Sequence, residues 1–310
     1  MTVASAIETT ALAKTYGKTQ VLYPISLSVP RGSVCALVGH NGAGKTTLIK
    51  LLLNILPPTS GSATVLGESA SALTGASFTR IGYVSENQEM PEWMTVQGFM
   101  DYLGPFYPTW NDKNLLADLD LPPDRKLKHL SRGMRMKAAL ASILAFRPQL
   151  IVMDEPFSGL DPLVRDQLIE TLLDRINDNS DPLGTTVLIS SHDLGEIESF
   201  ASHVIFLHQG RLLFTEPLDT LTARFREVTV SLSPSGTSPA PLNLPASWLL
   251  PESTPSLLRF IHSNAQTNFL EEQIYAVLPN AISIQAEPMT LRTIFLALVK
   301  SSHRQDRSRA

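Results

Sequence analysis

The stretch SVCALVGHNGAGKTTLIKLLLNIL, Ser33 to Leu56, passes from an unbroken apolar run through a glycine-rich turn into a helical pattern. The run SVCALVG has no polar alternation, so it predicts a strand buried on both faces. AGKTTLIKLLLNIL predicts a helix that stops before Pro57-Pro58. Between them GHNGAGKT, Gly39 to Thr46, fits G-x-x-x-x-G-K-[ST] in the strand–turn–helix setting that gives the pattern its meaning. Small residues let successive backbone N–H groups face inward and hold phosphate oxygens, and the helix N-terminus adds its positive end. Lys45 offers a point charge to β and γ phosphates, and the Thr46 hydroxyl suits Mg²⁺.

Outward from that turn, RIGYV, QLIVMD, TTVLISS and SHVIFL read as further strands. SRGMRMKAALASILAF, PLVRDQLIETLLDRIND and DLGEIESFA read as the helices between them. Uninterrupted apolar strands separated by helices predict a mainly parallel sheet covered on both faces. The pattern breaks at SLSPSGTSPAPLNLPAS, Ser231–Ser247, which is rich in Pro and Ser, carries no charge and reads as a linker. REVTVSLS and LLRFIHS (strands), FLEEQIYAVLP (helix), AISIQA (strand) and MTLRTIFLALVK (helix) then predict a small α+β unit, with SSHRQDRSRA as a frayed polar tail.

Composition narrows the function classes. In 310 residues, 43% are hydrophobic and 17% charged, as in a globular protein with a substantial core. A net charge of −4 gives no general basic surface for nucleic acid, so no nucleic-acid partner is expected. A single cysteine, Cys35, excludes a disulfide framework and a cysteine zinc site, and its apolar surroundings predict a small buried hydrophobe. No stretch approaches the roughly 18 apolar residues of a membrane span, and the N-terminus lacks a secretory pattern. Any work on a membrane is therefore expected to pass through a partner.

Two further segments carry chemistry. LIVMDEP, Leu150–Pro156, puts Asp154 and Glu155 at the end of an apolar strand, where parallel α/β sheets gather ligand groups. Asp154 is expected to face Mg²⁺ through water, and Glu155 to act as general base or to orient the attacking water. SSHD puts His192 past another strand end, where it can donate a hydrogen bond to a γ-phosphate and that water.

GHNGAGKT, LSRGM (Leu130–Met134), LIVMDEP, SGLD (Ser158–Asp161) and SSHD, in this order, resemble the ATP-binding subunit of ABC transporters, in the form that drives ABC-2-type exporters. The resemblance covers about Ala6 to Phe225. It implies an α/β fold, a P-loop NTPase of the ABC-type ATPase kind with a mainly parallel sheet core and antiparallel β and helical subdomains. That domain would span residues 1–225, with the helical subdomain near 90–147 and the accessory unit at 226–310. The nucleotide site would comprise Gly39, His40, Asn41, Gly42, Ala43, Gly44, Lys45, Thr46 and Thr47, with Tyr16 stacking on adenine and Asp161 near the nucleotide. Catalysis would rest on Glu155, His192 and Lys45, and the metal on Thr46, Asp154 and Glu86. In such subunits two domains pair head to tail, so Ser131 and Gly133 would complete the site held by the other copy.

The motifs depart from the usual form in two places. In LSRGM, Arg132 replaces a Gly and Met134 a Gln, and an added positive charge near a triphosphate suits the role. In IGYVSENQ, the usual Gln position holds Glu86, and either Glu86 or Gln88 could do its work. The segment Met90–Trp110, with Trp93, Phe99, Tyr102, Phe106 and Tyr107, falls where the family receives a coupling helix from its membrane subunit. Those aromatics could equally pack their own subdomain.

The expected function is an ATP-hydrolysing motor that needs ATP and Mg²⁺, pairs as a homodimer or heterodimer, and powers a separate transmembrane permease. It would be cytoplasmic, peripheral on the inner face of the cell membrane. A soluble ABC-type ATPase with a non-membrane partner and a non-hydrolysing nucleotide switch are the alternatives.

Overall fold

A computed structural model describes residues 4–111, 113–176, 184–233, 244–265 and 269–309, the last of these by backbone alone from 302 onward. The chain divides into two compact units, Met1–Thr215 and Glu216–Ala310. The division falls earlier than the 225/226 boundary drawn from the sequence.

The first unit opens with β1 (Ser5–Tyr16) and β2 (Thr19–Pro30), a long antiparallel pair. Next come β3 (Val34–Val38), α1 (Lys45–Leu52), β4 (Ser60–Val65), β5 (Glu68–Ser69) and the short α2 (Gly75–Phe78). β6 (Ile81–Ser85) leads to the helical region of α3 (Val96–Leu103), α4 (Leu115–Asp118) and α5 (Arg132–Leu144). β7 (Leu150–Asp154), α6 (Pro162–Ile176), β8 (Thr186–Ser191), α7 (Leu194–Ile197), β9 (His203–His208) and β10 (Arg211–Pro217) follow.

Two sheets result. One has the order β2-β1-β4-β5, and the other β10-β9-β3-β8-β7-β6. In the second, β9, β3, β8, β7 and β6 run parallel to one another. Every residue of β3, β7 and β8 is buried, which explains why these strands read as continuous apolar runs. β1 and β2 mix buried and exposed positions, as expected of a sheet with one face on the core. Ile49, Leu48 and Leu52 of α1 pack into the same cluster as Leu37, Val152 and Leu188. Each fully buried aliphatic side chain of this kind contributes about 1.5–3 kcal/mol. α1 is shorter than the sequence pattern, because the chain leaves the helix at Leu53 and turns through Asn54 at φ 56°.

The second unit holds α8 (Leu218–Arg224), β11 (Arg226–Leu232), β12 (Trp248–Ser253), β13 (Leu257–His262), α9 (Leu270–Val277), β14 (Ala281–Pro288) and α10 (Leu291–Arg309). Its antiparallel sheet has the order β12-β13-β11-β14, and Trp248 stacks on Phe260 at 3.9 Å in its own core. The Pro/Ser-rich stretch joins β11 to β12 inside this unit. Residues 234–243 of that stretch lie outside the described residues. The tail expected to fray continues α10 as far as Arg309.

Candidate functional site

Four strand ends stand side by side. Parallel register sets Ser85 of β6 beside Asp154 of β7, Asp154 beside Ser190 of β8, and Val38 of β3 beside Ser191. The next residues along the chain are Glu86, Glu155, Gly39 and His192. Sheet topology alone thus brings together groups from four distant segments, at the carboxyl ends where an open α/β sheet places its ligands.

After β3 the turn closes tightly. A Cβ on Gly39 would lie 2.4 Å from the Leu207 carbonyl oxygen, and one on Gly44 2.5 Å from Leu22 Cδ2. Gly42 and Gly44 have φ of 81° and 102°, in the left-handed region that favours glycine. Gly44 caps α1 with no side-chain hydrogen bond, so the first-turn N–H groups keep no side-chain acceptor. Lys45 bends back into this turn and is only 5% exposed. Its Nζ donates to the Gly39 oxygen at 2.6 Å and the His40 oxygen at 3.2 Å. Thr46 is exposed and Thr47 half-buried on the first turn of α1, while His40, Asn41 and Gly42 are exposed and Ala43 is buried.

The carboxylates come in from β7. Asp154 is buried and accepts from the Ser190 hydroxyl at 2.6 Å. Ser190 Oγ in turn accepts from the Glu155 amide at 2.9 Å, so one hydroxyl orients both acids. Glu155 has a φ of 51°, which swings the chain off the strand axis at that residue. One of its oxygens lies 2.7 Å from His192 Nδ1. The other lies 3.0 Å from Lys45 Nζ, an ion-pair contact without hydrogen-bond geometry, and is buried with no hydrogen-bond partner among the described residues. A buried carboxylate oxygen left without a hydrogen bond is costly, and marks a position that a donor can fill.

The remaining expected residues lie around this centre. Ser131 accepts from the Met134 amide at 3.3 Å and caps α5. A Cβ on Gly133 would lie 3.0 Å from Val164 Cγ1, so glycine lets α5 lie close against α6. Asp161 accepts from the Leu163 amide at 2.9 Å and caps α6. Tyr16 is 45% exposed at the end of β1, with the Lys14 ammonium 5.1 Å from its ring centre. The Glu86 amide donates to the Asp154 oxygen at 2.9 Å, but its carboxylate is turned to Arg132, 2.7 Å away. Gln88 accepts from the Ser85 amide at 3.3 Å and closes its own loop. Among the aromatics of Met90–Trp110, Phe99 is buried and Tyr107 stacks on Phe146 at 4.0 Å. Trp93, Tyr102 and Phe106 are exposed. Sequence reasoning missed Ser190 and the Glu86–Arg132 pair, and nothing local in the chain signals either.

Together these groups make an anion-binding turn with a buried ammonium, a strand-end acid pair and a histidine. The set fits a triphosphate, and the Thr46 hydroxyl with Asp154 supplies oxygen donors of the kind a hard cation takes. Comparison with known proteins agrees. Residues 22–158 match the ABC transporter family model. The chain is 32% identical over 243 residues to the uncharacterized ABC transporter ATP-binding protein YcbN of Bacillus subtilis, covering 74% of this chain and 76% of that protein. This chain belongs to the ABC transporter ATP-binding proteins. It is also 31% identical to the bacitracin transport ATP-binding protein BcrA of Enterococcus faecalis, over 72% of this chain and 73% of that one. Across the first three relatives the match spans 62% to 76% of their length. A solved ATP-binding subunit of an ABC transporter superposes with a TM-score of 0.63 at 27% identity, over 70% of this chain and 92% of that one. The first unit thus carries an ATP-binding domain of this family. Among the described residues no helix is long and apolar enough to cross a membrane.

Proposed function

We propose that this ABC ATP-binding subunit hydrolyses ATP and powers a separate transmembrane permease in an exporter, peripheral to the cytoplasmic face of the membrane. The observation that carries this reading is the meeting of Lys45 at the start of α1 with Glu155 and His192 at adjacent strand ends, with a buried Glu155 oxygen that has no hydrogen-bond partner among the described residues. In this reading Lys45 leaves the Gly39 and His40 oxygens for the β and γ phosphates. The amides of residues 39–47 hold the phosphate chain, and Tyr16 supports adenine by stacking, which needs only a π-face. Thr46, and Asp154 through water, would hold Mg²⁺, which would supply charge neutralisation at the phosphates. Glu155 takes the proton of the attacking water, and His192 donates to the reacting oxygen.

Two copies pair head to tail, so that Ser131, Gly133 and the tip of α5 in one copy face the γ-phosphate held by the other. Asp161, capping α6 beside that surface, keeps the SGLD turn in place. The γ-phosphate then bridges both copies, and its loss removes several charge-assisted hydrogen bonds at once. The permease contact falls on the Met90–Trp110 segment, where Trp93, Tyr102 and Phe106 are exposed. Relatives named for bacitracin and lantibiotic transport support the transport role. Steady-state phosphate release by the purified chain and its Glu155→Gln variant tests the reading. Near-equal rates would remove Glu155 from the chemistry.

A further inference from the structure

Two of the residues at which the sequence departs from the usual motifs, Glu86 and Arg132, are brought together by the fold. Arg132 Nη2 donates to Glu86 Oε1 at 2.7 Å. Glu86 cannot drift far, because its amide is bonded to the Asp154 oxygen at the end of β7. Arg132 is the first residue of α5, directly after the capping Ser131. Its guanidinium also lies over Gly159, where a Cβ would come within 3.2 Å of Nη1. Gly159 has a φ of 65°, so the SGLD turn offers bare backbone there. One turn of helix later, Arg135 pairs with Glu92 at 3.1 Å. Residues three apart share a helix face. Two arginines of the α5 tip are therefore strapped to the segment that follows β6.

We infer that the Glu86–Arg132 pair is an autoinhibitory contact, in which Glu86 holds the Arg132 charge inside its own chain and competes with the phosphate of a second copy's nucleotide. This rests on the reading that the α5 tip faces that phosphate. A guanidinium fits a carboxylate and a phosphate by the same planar fork, so Arg132 exchanges one oxygen acceptor for the other without losing hydrogen bonds. Both side chains are partly exposed, 51% for Arg132 and 38% for Glu86, so the pair can open without an unpaired buried charge. Glu86 is thus a positioning residue that acts through Arg132. It sets how much ATP is needed before two copies close.

The test is ATP-driven pairing followed by analytical ultracentrifugation, with Mg²⁺ present and Glu155→Gln as the background to stop turnover. Glu86→Gln is expected to lower the ATP concentration for half-maximal pairing by about fivefold, each copy releasing one partly exposed ion pair. The gain should vanish when Arg132→Gln is already present. Glu86→Ala frees Arg132 equally and should show the same gain, which guards against a folding defect in either variant. Weaker pairing in both variants would point to Glu86 as a metal ligand and overturn the inference. An equal effect with and without Arg132 would overturn it too. If the background protein itself does not pair with ATP, the proposed head-to-tail arrangement fails, an outcome distinct from a latch without effect.

Discussion

Changing Glu155 to Gln keeps the size of the side chain and removes its charge and its capacity to take a proton. In the structure that carboxylate is 13% exposed, 3.0 Å from Lys45 Nζ and 2.7 Å from His192 Nδ1. A positioned general base contributes typically about 10²–10⁴-fold, or roughly 2.7–5.4 kcal/mol of barrier at 1.36 kcal/mol per decade. Binding is a separate matter. The substitution leaves Lys45 and the amides of the turn in place to take the phosphates, so ATP affinity should stay within about tenfold, or roughly 1.4 kcal/mol. The expected result is phosphate release at saturating Mg-ATP down by about 10²–10⁴-fold, with a fluorescent nucleotide still bound. A variant that releases phosphate at the parent rate refutes the assigned role. A variant that loses hydrolysis and binding together places Glu155 in the architecture of the turn and not in the chemistry.

Two other perturbations read the same site. Gly39→Ala pushes a methyl group to 2.4 Å from the Leu207 oxygen, a backbone atom that cannot step aside. It should cost about 1–3 kcal/mol and lower Tm by roughly 2–4 °C per kcal/mol, and an unchanged melt would deny the close approach. Burial raises the Glu196 carboxyl above the usual carboxylate range, with the Ser191 hydrogen bond opposing and Asp193 adding to the rise. The folded chain then holds that proton more readily than the unfolded one. Its contribution is present below the unfolded value and lost as pH rises through the raised folded value. The Glu196→Gln variant should therefore gain on the parent in urea midpoint as pH climbs from about 4 to about 8, and a pH-independent gap would contradict this.

What the sequence made legible was whatever a local pattern fixes. The turn after β3 is defined by glycines, a lysine and a threonine at set offsets, and β7 and β8 are bare apolar runs because both faces of the sheet are covered. Pairings between distant segments were not legible. Nothing around Lys45 says that its ammonium rests 3.0 Å from Glu155, since that follows from strand order. Ser190 looks like one more strand residue until parallel register sets it beside Asp154. Glu86 and Gln88 both read as candidates for the usual Gln position, and only the fold shows that the Glu86 carboxylate meets Arg132 from another element.

The head-to-tail site is the claim on which the rest turns, and Ser131 is where it is most exposed to test. Ser131→Arg puts a long side chain at the α5 tip while leaving Lys45, Asp154 and Glu155 untouched. Sedimentation of the Glu155→Gln protein with Mg-ATP should show a dimer, and the same protein with Ser131→Arg should remain a single copy that still binds ATP. A Ser131→Arg protein that pairs as fully as its parent would contradict the account.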